Sequence, residues 1–563
     1  MTECTFKAAF FIIIALISFN CAGQVAPSGG PPDKKPPQII ATFPEPMALN
    51  YKENKFSFSF DKYVDRRSFH ESFFVSPTIS SLSYNWSGTD VEVTFEDTLR
   101  PLTTYIITIG TDVLDTRGNR LDKAFSLPFS TGNFIDSCAI SGSVIDEKAE
   151  GVMIFAYGLD GKNPDTLNPT RLKPDFLTQT GRDGTFLLPY LPVGRYRIMA
   201  VRDEYKNLVY DVQTDQFSTY TSDITLTSEK PLFSGVQFKL SIEDTAAPFL
   251  SSARSIDQSH VLLRFSEGMN EESIRNGNIS LFDTVAGTPL SVQDIAFGEK
   301  PVMEIQLVTA TQDFGRTYRV KVSGLYDIAG NSLTEPRNSA DFAGSSTYDT
   351  SRPGFDLLYP PKNSTEILTT DTLRLFFSEA IRKASFSSGV LLSDSVRIPV
   401  GLSTSWPHSR ELWLIPQKEL QKGMAYTLTI RMDSLADLFG NSYTDSVISY
   451  SLETAGEESM SSISGVVTDD AAGASGAVFI TAKNISNNSI PRILKLDSVK
   501  AFTFQNLTEG QYTLSAFRDE DGNGLYSFGK PFPFVKAERF TIYGDTLKLR
   551  ARWPLEGVTV RFR

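Results

Sequence analysis

The segment of this 563-residue chain with the most chemical content is Asp519-Glu520-Asp521-Gly522-Asn523-Gly524-Leu525-Tyr526-Ser527. Asp519, Asp521 and Asn523 take the first, third and fifth places of a calcium loop, with Gly524 at the sharp turn and Ser527 at the ninth place. The bidentate Glu that closes an EF-hand loop is absent, and Lys530 stands at its place. Two readings stay open: a structural calcium ion that stiffens the loop, or an Asx-rich turn satisfied by its own backbone and by water. No other cofactor is expected. The three His, at His70, His260 and His408, are far apart in sequence, and there is no HExxH or paired CxxC to build a zinc site. Nor is there a Gly-x-Ser-x-Gly elbow, a P-loop or a dinucleotide fingerprint. No pair of carboxylates is singled out for glycoside hydrolysis. The expected function is therefore non-enzymatic, and a hydrolase with an unrecognised carboxylate site ranks last.

The formal net charge is −12, with no basic run to neutralise phosphates, so nucleic acid is not an expected partner. Three Cys are present, and Cys4 and Cys21 lie in the leader. The body thus holds one thiol, Cys138, read as a small buried hydrophobe, and no internal disulfide.

Lys7 precedes an uninterrupted apolar stretch from Ala8 to Ile17. About ten residues cannot cross a hydrocarbon layer that needs roughly twenty, so the stretch reads as a signal-peptide core. Ile17-Ser18-Phe19-Asn20-Cys21 follows and resembles a bacterial lipobox, which implies lipidation at Cys21; cleavage near Ala22-Gly23 is the competing reading. A Gly/Pro-rich tether runs on to Pro37. The membrane, reached through an N-terminal lipid, is the expected attachment.

The elements behind these residues are strands. Aromatics make up 12% of the chain, with Phe 41 and Tyr 20, and Gly 38 and Pro 30 punctuate its length. One unit occurs three times. Its early strands, Phe56-Ser57-Phe58-Ser59-Phe60-Asp61-Lys62, Val261-Leu262-Leu263-Arg264-Phe265-Ser266-Glu267 and Leu373-Arg374-Leu375-Phe376-Phe377-Ser378-Glu379, alternate with period two. Its late strands begin at Tyr105, Tyr318 and Tyr426. Each leads to one turn: Asp115-x-x-Gly118-Asn119, Asp327-x-x-Gly330-Asn331 and Asp437-x-x-Gly440-Asn441, where Gly and Asn supply positive φ and Asp bonds the amides ahead. A second unit occurs twice, opened by Ile140-Ser141-Gly142 and Ile463-Ser464-Gly465. Further along it, Leu191 to Asp203 aligns without gaps to Leu507 to Asp519.

The first unit resembles the SbsA-type bacterial Ig-like domain of cell-surface proteins. The second is similar to the transthyretin-like, carboxypeptidase-regulatory-like domain, a non-catalytic sandwich. Together with the lipobox they resemble envelope lipoproteins of the Bacteroidota and Chlorobi. The fold class this implies is all-β, as tandem β-sandwiches behind a signal peptide and tether. The expected boundaries are a signal peptide at 1–20 and a tether at 21–37. Ig-like units follow at 38–133, 246–345 and 351–455, and transthyretin-like units at 137–243 and 461–563. The three tyrosines resemble the corner tyrosine of Ig-like sandwiches, whose hydroxyl bonds backbone. Trp86, Phe297 and Trp406 recur at one place in the repeat and read as packing. Triplets such as Asp97-Thr98-Leu99 and Asp545-Thr546-Leu547 resemble an O-glycosylation signal of exported Bacteroidota proteins.

The expectation is a lipid-anchored envelope protein, located in the outer membrane, whose sandwiches form a rod acting as spacer, scaffold or adhesion module. Envelope proteins or glycans are its expected partners. The alternative is a carbohydrate- or peptide-binding lipoprotein of a polymer-utilisation system.

Overall fold

The computed structural model describes residues 33–79, 81–298, 300–383, 389–442, 446–471, 473–486 and 491–562. The signal peptide, Cys21 and most of the tether lie outside them. Strands dominate the described chain and form ten sheets that face each other in pairs around five hydrophobic cores. The all-β, tandem-sandwich class read from the sequence is the fold observed.

In the first unit, Ile39–Phe43, Lys55–Phe60, Asp90–Thr94 and Ser83–Ser87 form one antiparallel sheet, and Phe73–Ser76, Thr104–Ile109 and Phe125–Ser130 form the other. Phe56, Phe58 and Phe60 are fully buried while the serines between them face outward, as period-two alternation requires. The third and fourth units repeat this topology with a short extra strand, Pro289–Leu290 or Pro399–Val400, on the second sheet. The corner tyrosines hold the same register in all three. Tyr105, Tyr318 and Tyr426 accept hydrogen bonds from the backbone N–H groups of Arg100 (2.9 Å), Asp313 (3.0 Å) and Gln421 (2.8 Å).

The second and fifth units differ in one diagnostic respect: their first and last strands pair in parallel, Cys138–Ile145 with Leu232–Lys239 and Met460–Asp469 with Leu555–Phe562. The repeated Ile-Ser-Gly opening follows from this pairing. A Cβ at Gly142 would overlap the carbonyl oxygen of Val236, and one at Gly465 that of Val558, so only glycine lets the last strand close on the first.

Consecutive units touch. Lys206 reaches Glu71 at 2.8 Å between the first and second, and Asn331 Nδ2 donates to the Asp244 carbonyl at 3.1 Å between the second and third. Arg275 donates to the Pro407 carbonyl at 2.8 Å between the third and fourth, and Arg492 lies 4.0 Å from Asp371 between the fourth and fifth. The fifth unit also docks on the second. Thr219 Oγ1 donates toward the carbonyls of Phe528 (3.2 Å) and Val535 (3.0 Å), the Arg197 guanidinium lies 3.7 Å over the Phe534 ring, and Lys530 is 4.0 Å from Glu243. The second to fifth units thus form a closed circuit. This corrects the rod expected from tandem units, because side-chain contacts more than 300 residues apart fold the string back on itself.

Candidate functional site

The Asp-x-x-Gly-Asn turn marks one place in all three units of the first kind, the point where the incoming chain crosses the sandwich. Gly118, Gly330 and Gly440 have φ of +84°, +91° and +94°, which only glycine adopts freely. The buried turn carboxylate binds the backbone ahead of it: Asp115 Oδ1 accepts from the N–H of Arg117 (2.8 Å) and Asn119 (2.9 Å), Asp327 Oδ1 from Asn331 (2.8 Å), and Asp437 Oδ1 from Phe439 (2.9 Å) and Asn441 (2.8 Å). The Asn amide faces two ways. It donates to the turn Asp, at 2.8 Å, 3.0 Å and 2.7 Å in the three copies, and to the backbone carbonyl of an Asp in the incoming linker. These linker residues are Asp33 (3.0 Å), Asp244 (3.1 Å) and Asp349 (3.4 Å). The turn therefore staples each linker to its unit.

Sequence reasoning singled out the turn but missed the linker Asp. Its signal was present: Asp33, Asp244 and Asp349 each stand four residues before Pro37, Pro248 and Pro353. The residue two places after the third inward residue of the early strand (Phe60, Phe265 or Phe377) completes each site, and here the copies diverge. Lys62 of the first copy contacts Asp33 at 2.7 Å and Asp115 at 3.6 Å, and the hydrogen bond between Lys62 and Asp33, reinforced by their opposite charges, lowers the carboxyl of Asp33 and raises the ammonium of Lys62. The second copy has Glu267 there, and the third Glu379. Burial, then the charges of Asp244 and Asp327, raise Glu267. Burial likewise raises Glu379 and Asp349, which face His260 of the preceding unit. His260 hydrogen-bonds Asp257 at 2.8 Å through Nδ1. Burial works against its charged form, but Asp257, Glu379 and Asp349 outweigh burial and raise it.

The acidic loop of the fifth unit is arranged differently from an EF-hand. Asp519 accepts from the N–H of Gly522 (2.8 Å) and Gly524 (3.1 Å), and the Oδ1 of Asn523 accepts from Leu525 (2.6 Å) rather than joining the carboxylates. The third acid of the cluster is Glu538, whose carboxylate oxygen comes within 4.8 Å of those of Asp519 and Asp521. Buried Glu538 also clamps the loop, accepting from the N–H of Glu520 (2.7 Å), Asp521 (3.3 Å) and Ser527 (3.0 Å). Lys530, at the twelfth place, points away toward Glu243 of the second unit. The second unit has the same clamp without the cluster, with Asp215 accepting from Glu204 (3.0 Å) and Asp211 (2.9 Å). Burial pushes the carboxyl of Asp215 up to about 6. The loop is thus held by its own backbone donors.

Cys138 is a free, buried thiol whose pKa burial raises. Trp86 packs on Phe69 with ring centroids 5.2 Å apart, Trp406 on Phe377 at 6.0 Å, and Phe297 is buried in its core. None of the three presents a free aromatic platform. Among the described residues, no helix is long and apolar enough to cross a membrane.

The family model of the bacterial Ig-like domain matches residues 33–131 and 349–454, which span the first and fourth units. No curated protein matches the chain. Among solved structures, the chain is similar to the N-terminal part of the bacterial S-layer protein SbsC, at 15% identity over 37% of this chain and 44% of that one, with a TM-score of 0.17. It is also similar to domains 1–6 of surface layer protein SbsC, at 10% identity over 92% of this chain and 68% of that one, TM-score 0.17. The four N-terminal Ig domains of Dscam1 isoform 4.44 match at 10% identity over 74% of this chain and all of that one, TM-score 0.18. The chain spans less than half the length of the first of these.

Proposed function

We propose that this protein is an exported, lipid-anchored component of the bacterial envelope that acts as a non-enzymatic scaffold or adhesion module. The observation that carries the reading is that sandwich units account for the described chain from Ile39 to Phe562, two of them matching the bacterial Ig-like domain. The apolar leader, Cys21 and the Gly/Pro-rich tether support a body carried outside the cytoplasm. The closed circuit of units makes it a compact platform held off the membrane, with the first unit next to the tether. Metabolic labelling with a radioactive fatty acid tests the reading. The wild-type chain takes up label and fractionates with membranes, whereas Cys21→Ala takes up none and is released. An unlabelled wild-type chain recovered in the cytosol refutes it.

A further inference from the structure

The fourth and fifth units meet at a cavity of about 290 Å³ whose walls come from both. Tyr359, Pro360 and Asp371 line it from the fourth unit, and Arg492, Asn506 and Leu507 from the fifth. Its polar groups are unspent. Asp371 accepts from the Leu368 N–H through Oδ2 (2.9 Å), while its Oδ1 lies 4.0 Å from the Arg492 guanidinium, too far for a hydrogen bond. Burial raises the Asp371 carboxyl. Among the described residues, neither the Arg492 guanidinium nor the Asn506 side-chain amide has a hydrogen-bond partner. The second unit, built on the same strands, lacks these groups. Phe176 pairs with Ala156 where Arg492 pairs with Ala482, and Gly158 pairs with Tyr196 where Asn484, also on the cavity wall, pairs with Tyr512. Tyr190 stands at the place of Asn506, both with left-handed φ (+60° and +55°). Phe176 is buried in its core against Tyr196, with ring centroids 6.1 Å apart. The fifth unit has thus exchanged a core aromatic for a cation that reaches toward the carboxylate of its neighbour, and a glycine for an amide.

We infer that this cavity between the fourth and fifth units binds a neutral sugar residue of a glycan, through Asp371, Arg492 and Asn506. The charges of Asp371 and Arg492 cancel, which suits neither a metal ion nor a free phosphate. Sugar hydroxyls both donate and accept, so one ring can donate to Asp371 Oδ1 while it accepts from Arg492 and Asn506. Pro360, Leu507 and Tyr359 supply apolar surface for the C–H face of a pyranose. The volume is at the small end for a ligand pocket and fits a glycan end rather than a length of polymer. The unspent groups are side chains, whereas a peptide added to a sheet edge is held by main-chain bonds. The inference rests on the adhesion role proposed for the body and names its partner class, and it is independent of the lipid at Cys21.

Saturation-transfer NMR on the mature chain tests it. The probes are the methyl glycosides of glucose, galactose, mannose, rhamnose and N-acetylglucosamine, with tetra-alanine as the peptide probe. At least one glycoside receives saturation from the wild type. Asp371→Asn, which keeps an acceptor for the Leu368 N–H, and Arg492→Phe, which restores the residue of the second unit, each weaken that glycoside by about tenfold or more. Asn506→Gly keeps the left-handed backbone and weakens it too, which covers the case of an Arg492→Phe chain that fails to fold. Asp521→Asn, in the acidic loop of the same unit, binds as the wild type does. No glycoside bound by the wild type, binding unchanged in the Asp371, Arg492 and Asn506 variants, or transfer to tetra-alanine alone overturns the assignment. Fatty-acid labelling is read on the same chains, so a labelled protein that binds no glycoside loses the glycan site and keeps its place as an anchored scaffold.

Discussion

The docking of the fifth unit on the second offers a sharp physical test, because it rests on few residues. Arg197 is buried and held within its own unit, by two hydrogen bonds to Asp223 (2.9 and 3.1 Å) and one to the Pro164 carbonyl (2.8 Å). Phe534→Ala therefore removes the stacked ring without releasing the guanidinium. A desolvated cation–π contact is worth about 2 kcal/mol, and partial burial of the ring adds about 1 kcal/mol. The loss of about 3 kcal/mol raises the undocked population roughly 100-fold. Gly529→Ala attacks the same contact from the backbone. Gly529 has φ of +73°, and a Cβ there would overlap Thr219 Oγ1 of the second unit and the Val535 carbonyl. The left-handed φ alone costs about 1–2 kcal/mol for alanine. Small-angle scattering reads the outcome as a longer maximum dimension in both variants than in the wild type. An extended wild-type particle, or identical profiles in all three, refutes the closed circuit.

Four further outcomes follow from named contacts. Tyr318→Phe leaves the Asp313 N–H without its acceptor and lowers stability by about 1–2 kcal/mol in chemical denaturation, and Tyr426→Phe does the same through Gln421. Gly465→Ala forces a methyl against the Val558 carbonyl, and overpacking of this kind costs about 1–3 kcal/mol, read as a lower melting temperature and as proteolysis of the fifth unit. Cys138 stays unmodified by iodoacetamide in the native protein and reacts after unfolding, because its thiol is buried and shifted upward. The junction of the third and fourth units is pH-dependent through His260, which faces Asp257, Asp349 and Glu379, with Asp437 and Arg410 behind them and the Phe439 ring 5.1 Å away. Its folded pKa is raised, so its contribution is complete below the unfolded value near 6.5 and is lost as pH climbs through the folded value. The melting temperature of the wild type then falls relative to His260→Gln as the pH rises above about 6.5, and parallel pH profiles refute the assignment.

What could be read from the sequence was what depends on near neighbours. Period-two alternation marked Phe56, Phe58 and Phe60 as inward, and a tyrosine at the head of each late strand was legible as a corner because its acceptor role spans only five residues. The repeated Ile-Ser-Gly identified the second kind of unit, but the need for glycine comes from a strand nearly a hundred residues later that returns in parallel. Glu538 escaped notice for the same reason. It reaches the acidic loop only because the strand Phe540–Ile542 pairs beside Gly510–Asp519, and no spacing rule connects it to Asp521. The docking of the fifth unit on the second lay further out of reach, since Thr219 and Val535 share no pattern.

Lys62 stands between these cases. In the sequence it is a departure, Asp61-Lys62 where the sister strands end in Ser-Glu, and a departure alone says nothing about its cause. The structure supplies the cause by setting its ammonium between Asp33 and Asp115. Once that is seen, the two glutamates become the exceptions to account for. Each lies beside a linker Asp and a buried turn Asp, and burial raises its carboxyl. At one junction His260 supplies an opposing positive charge. At the other, half-buried Glu267 instead shares a hydrogen bond with the exposed Asp244, so the same place in the repeat is balanced by a proton rather than by a cationic side chain.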